Sequence, residues 1–165
     1  MTNGLIFDKT KIDSCSLRIA YQIYENNLDQ KEIVLAGIEE NGLVYAAKIK
    51  KLLENISPLE ITFVKLKVDK VNILTPVKCD VDIKELENKS IVVIDDVLNT
   101  GSTLMYAVKY LLDVPVLQIK TAVLVNRNHK KYPIKADFKG ISLSTSVNEH
   151  IKVSFEADSS GVYLV

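Results

Sequence analysis

The chain has 165 residues, 47% of them hydrophobic, with lysine plus arginine equal to aspartate plus glutamate at 21 each. That length and apolar content suit one globular domain over residues 1–165 with a sizeable core, and they exclude a disordered or fibrous chain. The charge balance leaves no whole-molecule field to draw the protein to nucleic acid or an acidic membrane, so any such attraction has to come from a local patch.

The opening segment MTNGLIFDKTKID lacks a basic stretch followed by a long apolar run, which predicts no secretory leader. From Ile12 to about Asn27, Ile12, Cys15, Ile19 and Ile23 recur at three- and four-residue intervals and lay an apolar stripe along a helix. EIVLAGI, residues 32–38, is a β-branched run of buried-strand type, and Asn41-Gly42 then opens a helix to about Glu54. LEITFVKL, residues 59–66, reads as a second strand because β-branched and aromatic residues dominate it. Residues 67–81, KVDKVNILTPVKCDV, have no steady period and contain Pro76; so long a connection predicts a lid. IVVI at 91–94 is the most strongly apolar strand, and Leu104, Ala107, Val108 and Leu111 mark the next helix. KTAVLV, residues 120–125, makes a fourth strand, while IKVSF at 151–155 and GVYLV at 161–165 read as edges or a small hood.

Strands separated by helices of this length predict an α/β fold, a central mostly parallel sheet flanked by helices, with the small hood beside it. In such sheets ligands bind beyond the carboxyl ends of the strands. Cys15 and Cys79 match no metal-ligand spacing and are too few for a disulfide framework, so both are expected as reduced thiols. No stretch reaches the roughly 18 apolar residues that would span a bilayer, and the expected location is the cytoplasm, without a membrane partner.

The segment IVVIDDVLNTGST, residues 91–103, concentrates the chemistry. Asp95 and Asp96 repel one another, most strongly in apolar surroundings, so a cationic or hydroxyl-rich partner is expected beside them. A helix starting near Ser102 would offer unpaired N–H groups and the positive end of its dipole to a phosphate. Gly101 allows close backbone approach, and Thr100, Ser102 and Thr103 add hydroxyl donors. A nucleoside-triphosphatase loop would need lysine after its last glycine, where Ser102 stands. A ribose 5-phosphate, carrying both vicinal hydroxyls and phosphate, answers both features.

This stretch, a hydrophobic strand, two acids, Val97 and Leu98, the variable Asn99, then Thr100-Gly101 and small residues, resembles the 5-phosphoribosyl 1-pyrophosphate (PRPP) motif of type I phosphoribosyltransferases. The resemblance implies that fold, with Asp95 and Asp96 facing the ribose hydroxyls directly or through Mg²⁺, and residues 97–103 binding PRPP, its 5-phosphate wrapped by Thr100 to Thr103. At Asn99 purine-salvage members carry an aspartate that handles a base proton, which asparagine cannot do. Asn126-Arg127-Asn128-His129, Pro133-Ile134-Lys135-Ala136-Asp137 and Ser144-Thr145-Ser146 are similar to segments of the bifunctional pyrimidine operon attenuators and uracil phosphoribosyltransferases. That likeness implies transfer of phosphoribose from PRPP to uracil, giving UMP, with Arg127 and His129 near the base and a homo-oligomer, a dimer, as the assembly.

Departures from the family pattern cluster at one end. The pyrophosphate loop of relatives carries basic residues, where this chain has Glu39-Glu40-Asn41-Gly42. Two anions facing an anionic leaving group oppose its binding unless Mg²⁺ intervenes or the side chains turn away, so weak turnover is expected. At the lid, Lys67 and Asp69 stand where the family has Tyr-Arg-Asp-Asp. Two other readings remain open on the sequence: a nucleotide-sensing pseudoenzyme, and an RNA-binding regulator using the basic run Lys120, Arg127, Lys130, Lys131, Lys135 and Lys139.

Overall fold

Asp8 accepts a hydrogen bond from the Lys11 backbone N–H at 2.9 Å, satisfying a donor that the first helical turn would leave orphaned. The helix therefore begins ahead of its apolar stripe. The computed structural model describes residues 4–165 and orders them as β1 (Gly4–Asp8), α1 (Lys9–Glu25), β2 (Glu32–Ile38), α2 (Asn41–Ile56), β3 (Glu60–Lys67) and β4 (Lys78–Cys79). A 3₁₀ turn over Ile83–Leu86 leads to β5 (Ser90–Leu98), α3 (Ser102–Leu111), β6 (Gln118–Asn126), β7 (Phe138–Ser142), β8 (Ile151–Ser154) and β9 (Gly161–Leu164).

Six strands form the main sheet in the order β4-β3-β2-β5-β6-β7, all parallel except the two-residue β4. On β5, Val92 and Ile94 pack toward α1 and α2 while Ile91 and Val93 pack toward α3, so the strand is buried on both faces. A second sheet, β1-β9-β8, is antiparallel and is the small hood. Phe155, just past β8, stacks on Tyr45 of α2 with ring centroids 5.6 Å apart, which ties the hood to the helix that follows β2. No described helix is long and apolar enough to cross a membrane.

The α/β expectation holds, and three strands escape the sequence reading. β7, FKGIS, is short and interrupted by Gly140, where a Cβ would lie 2.5 Å from the Leu124 carbonyl oxygen; only glycine admits so close a neighbour strand. It also joins β6 in parallel through residues 127–137 without a crossover helix, so no helical period announces it. β1 is too near the terminus and β4 too short to show a period.

Residues 67–81 are more anchored than a free lid. Val68 is buried, and Ile73, Val77 and Val81 pack against the core on the α3 side, leaving the tip at Val71 and Leu74 in solvent. Asp69 holds the tip together, accepting from the Val71 and Asn72 N–H groups at 2.9 Å each and from the Thr75 hydroxyl at 3.2 Å.

Candidate functional site

The carboxyl ends of β2, β5 and β6 open on one side of the sheet, and the hood's Ile151 borders the same space. Asp95 and Asp96 lie within β5 rather than in a loop after it. Across them the strand's alternation reverses: Val97 packs with the α1 and α2 side and Leu98 with the α3 side. The carboxylates themselves take the local donors, Asp95 Oδ1 accepting from Asp96 N and Asp96 Oδ1 from Val97 N, at 2.9 Å each.

The two acids have different surroundings. Asp95 is 3% exposed and lies against the first turn of α2, where a Cβ on Gly42 would fall 2.7 Å from Asp95 Oδ1 and 3.0 Å from the Ile94 carbonyl oxygen. Burial pushes the Asp95 carboxyl well above its ordinary value; the Asp96 charge pushes it further, and Lys70 offsets only part. Asp96 is half-buried, and its Oδ2 accepts from Asn41 Nδ2 at 3.1 Å. The same Asn41 amide donates to the Val153 carbonyl of β8 at 3.0 Å, so it links acid and hood.

After the acids comes a cavity of about 330 Å³ lined by Asp95 to Leu104, with Lys70 and Ile151 at its rim. Gly101 sits at φ +90° at the head of α3, and a Cβ there would meet Ile134 Cγ2 at 2.6 Å, so both conformation and space require glycine. The Thr100 carbonyl accepts from Lys131 N at 2.8 Å and Tyr132 N at 3.2 Å, bracing the loop from the 127–137 connection. Thr100 and Ser102 hydroxyls lie 3.1 Å apart and Thr100 Oγ1 accepts from Ser102 N at 3.3 Å; Gly101 brings no capping side chain, so the N–H groups of Thr103 and Leu104 in the first turn, both among the residues lining this cavity, have no side-chain acceptor among the described residues.

A second cavity of about 420 Å³ adjoins the first, sharing Asp96 and Lys70 and lined also by Glu39, Glu40, Asn41, Lys67 and Val68. Glu39 is paired with Lys65 on the neighbouring strand, so its charge is largely spent within the protein. Glu40 is exposed and has no ion-pair partner among the described residues. Lys67 reaches this cavity as expected, whereas Asp69, its predicted companion, turns back into its own turn. Lys70 was not singled out on the sequence, yet it borders both cavities. Its spacing from Lys67, three residues along a non-helical segment, gave no periodic signal to find it by.

Arg127 and His129 do not reach into either cavity. Arg127 is 4% exposed; its Nε donates to Thr145 Oγ1 at 2.7 Å, its Nη1 to Asn99 Oδ1 at 3.1 Å, and its Nη2 to the carbonyls of Ser146 and Glu149. His129 Nε2 donates to the Thr145 carbonyl at 2.6 Å. Both side chains secure the 143–150 connection leading into β8. Arg127 is thereby withdrawn from the basic run, while Lys130, Lys131, Lys135 and Lys139 remain exposed.

A family model described as the phosphoribosyl transferase domain matches residues 9–160. The bifunctional protein PyrR of Macrococcus caseolyticus is 33% identical over 99% of this chain and 99% of its own, and that of Fusobacterium nucleatum is 36% identical over 90% and 89%. Among solved structures, a hypoxanthine phosphoribosyltransferase of Trypanosoma cruzi is similar with a TM-score of 0.77 at 16% identity, over 98% of this chain and 95% of that one. One from Staphylococcus aureus gives 0.73 at 19% identity, over 86% and 78%. At those identities the structural likeness is one of fold.

The buried state of Asp95 has a measurable consequence. A carboxyl with a higher pKa folded than unfolded keeps a proton that the unfolded chain releases, so stability falls as pH rises from the ordinary value of 3.8 toward the folded one. Asp95→Asn removes that slope. Thermal midpoints of variant and parent should lie close together near the low end of this window and separate in the variant's favour as pH approaches neutrality. A difference independent of pH would contradict an Asp95 carboxyl raised by burial.

Proposed function

We propose that this chain, which belongs to the phosphoribosyl transferase domain family, transfers the 5-phosphoribosyl group of PRPP to N1 of uracil, yielding UMP and pyrophosphate. The observation that carries the reading is the pair of adjoining cavities with Asp96 and Lys70 between them. A sugar bearing phosphate at one end and pyrophosphate at the other needs two anion-accepting ends joined at an acid that can meet its hydroxyls.

In this reading Thr100 to Thr103 hold the 5-phosphate with hydroxyls and helix-terminal N–H groups, and Asp96 faces the ribose hydroxyls from its half-buried position. The leaving pyrophosphate lies toward Lys67 and Lys70, which supply the positive charge that Glu39 and Glu40 do not. As the bond from C1 to pyrophosphate lengthens, the ribose gains oxocarbenium character, and the carboxylate of Asp96 stabilises that charge in a site partly closed by Ile151. N1 of uracil forms the new bond to C1 as the bond from C1 to pyrophosphate breaks, and its proton passes to the departing pyrophosphate through water; no protein nucleophile takes part, and Asn99 cannot accept that proton. Orientation of the two reactants supplies much of the acceleration.

The donor set suits Mg²⁺ that arrives with the donor. Asp96 offers a carboxylate at the junction of the cavities, but no group of three metal-binding side chains occurs among the described residues, so the remaining ligands would be donor oxygens and water. Bound there by Asp96, with Asp95 behind it, the cation would offset charge on the departing pyrophosphate.

A second reading accompanies the first: the relatives bear the name bifunctional, and Lys130, Lys131, Lys135 and Lys139 are exposed along one connection and its strand. In this reading the protein, as a homodimer in the cytoplasm, also binds RNA through those lysines and acts as a pyrimidine-sensing regulator. The pseudoenzyme reading rests on the acidic loop, of which Glu39 is paired with Lys65 while Glu40 has no ion-pair partner among the described residues.

Three outcomes test this. Incubation with uracil, PRPP and Mg²⁺ should produce UMP, and Gly101→Val should lower kcat/KM by at least about a hundredfold, since its side chain collides with Ile134 behind the loop and strains a positive φ, displacing the loop that lines the phosphate end; undiminished turnover in the variant would refute the assigned cradle. Glu40→Lys should lower the KM for PRPP severalfold at low salt, whereas an unchanged KM would show that this exposed charge does not face the pyrophosphate. Retention of pyrimidine leader RNA should weaken steeply with salt and weaken further in a Lys130→Ala, Lys131→Ala, Lys135→Ala variant; retention insensitive to both would remove the RNA reading.

A further inference from the structure

Asn41 opens α2, and among the described residues its side chain makes two hydrogen bonds, neither of them to the helix it begins. An asparagine amide carries two N–H donors on one nitrogen. One goes to Asp96 Oδ2 at 3.1 Å and the other to the Val153 carbonyl of β8 at 3.0 Å, so both are spent within the protein. A backbone carbonyl only accepts, which fixes the amide with its nitrogen turned to β8. Asp96 is thereby held at both oxygens, Oδ1 by Val97 N at 2.9 Å along its own strand and Oδ2 by Asn41. No lysine, arginine or histidine pairs with Asp96 among the described residues, which leaves the uncharged Asn41 amide to orient it from the α2 side.

The same helix holds the hood at two points. Asn41 and Tyr45 are four residues apart and share a face; Asn41 binds the Val153 carbonyl, and Tyr45 stacks on Phe155 with ring centroids 5.6 Å apart. Val153 is buried, and Ile151, two residues earlier on β8, borders the cavity lined by Asp95 to Leu104. Asn41 is half-buried and lines both the cavity it shares with Asp96 and a further one of about 440 Å³ on the hood side, where Ser154, Glu156 and Tyr163 also lie. One amide thus sets the spacing between the acid and the hood strand.

We infer that Asn41 is a positioning residue: its amide orients the Asp96 carboxylate and ties that orientation to β8, and its side chain does not bind the leaving pyrophosphate. The inference rests on the phosphoribosyl transfer proposed above, and it gives the residue before Gly42 a task different from that of the basic residues in the relatives' loop. With both N–H groups committed, Asn41 has only Oδ1 to turn toward the cavity, and an acceptor repels phosphate oxygens. Lys67 and Lys70 line the same cavity and carry its positive charge. The Asp96 carboxylate meets a positive charge that develops on the ribose only as the bond to pyrophosphate breaks. An error in its direction therefore costs turnover more than donor binding.

Asn41→Ala should lower kcat by between about tenfold and a hundredfold while the KM for PRPP stays within about twofold. In an Asp96→Asn background the same substitution should cost less than about twofold further, because the residue acts through that carboxylate. Asn41→Arg, which brings in a basic residue of the relatives' kind, should lower kcat as Asn41→Ala does without lowering the KM for PRPP. The contact is also read without turnover: in ¹⁵N-labelled protein, Asp96→Asn should move the resonances of the Asn41 side-chain N–H₂ pair. The Tyr45–Phe155 stack is untouched by all these substitutions. The inference alone is overturned by an Asn41→Ala kcat within about twofold of the parent or by equal losses in the parent and Asp96→Asn backgrounds. It is equally overturned by an Asn41→Arg variant that binds PRPP more tightly at undiminished kcat, or by an Asn41 pair that Asp96→Asn leaves in place. Absence of UMP formation by the parent protein overturns the proposed function and this role with it.

Discussion

Two adjacent carboxylates at the mouth of a buried strand cannot both be ionised in an apolar setting without a large electrostatic cost, and the rest of the site follows from how that conflict is resolved. Asp95 is sealed beneath the glycine that opens α2, where burial and the neighbouring Asp96 charge push its carboxyl well above the ordinary value, and Asp96 is the half-buried acid that lines both cavities. Gly42 is thus a packing requirement of the acid pair, and Asn41 beside it fixes the direction of Asp96 while binding the hood. The acids, the first turn of α2 and the β8 strand form one connected unit.

Charge around the cavity assigned to pyrophosphate in the proposed reaction is arranged differently from the family pattern. Glu39 is neutralised within the sheet by Lys65, and the positive charge facing the cavity comes from Lys67 and Lys70 on the segment after β3. The cations therefore sit on a segment whose base is packed into the core and whose tip is in solvent. In the proposed reaction such a segment would adjust to a departing pyrophosphate more readily than a strand-end loop.

What could be read from the sequence was whatever leaves a local imprint. The buried runs at 32–38 and 91–94 and the helical stripes at Ile12 and Leu104 reported their elements because burial on a face imposes a period. The turn at Thr100 to Thr103 was legible for another reason, since a positive φ and a close approach leave glycine as the only choice at 101. β7 was not legible, because its pairing is decided by fit against Leu124 rather than by alternation. The resemblance places Asp69, Arg127 and His129 near the ligand, yet each spends its polar atoms on backbone or neighbouring side chains. Residue chemistry told which groups were capable of binding; only tertiary placement told which were left free to do so.

The central claim is that one sugar phosphate lies over β5 with its phosphoryl end at the head of α3. Titrating ¹⁵N-labelled protein with UMP and, separately, with uridine tests it most directly. The account predicts that UMP moves the backbone amide resonances of Gly101, Ser102 and Thr103 and that uridine, lacking the phosphate, leaves them near their free positions. Equal shifts from both ligands, or UMP shifts confined to the hood strands, would contradict it.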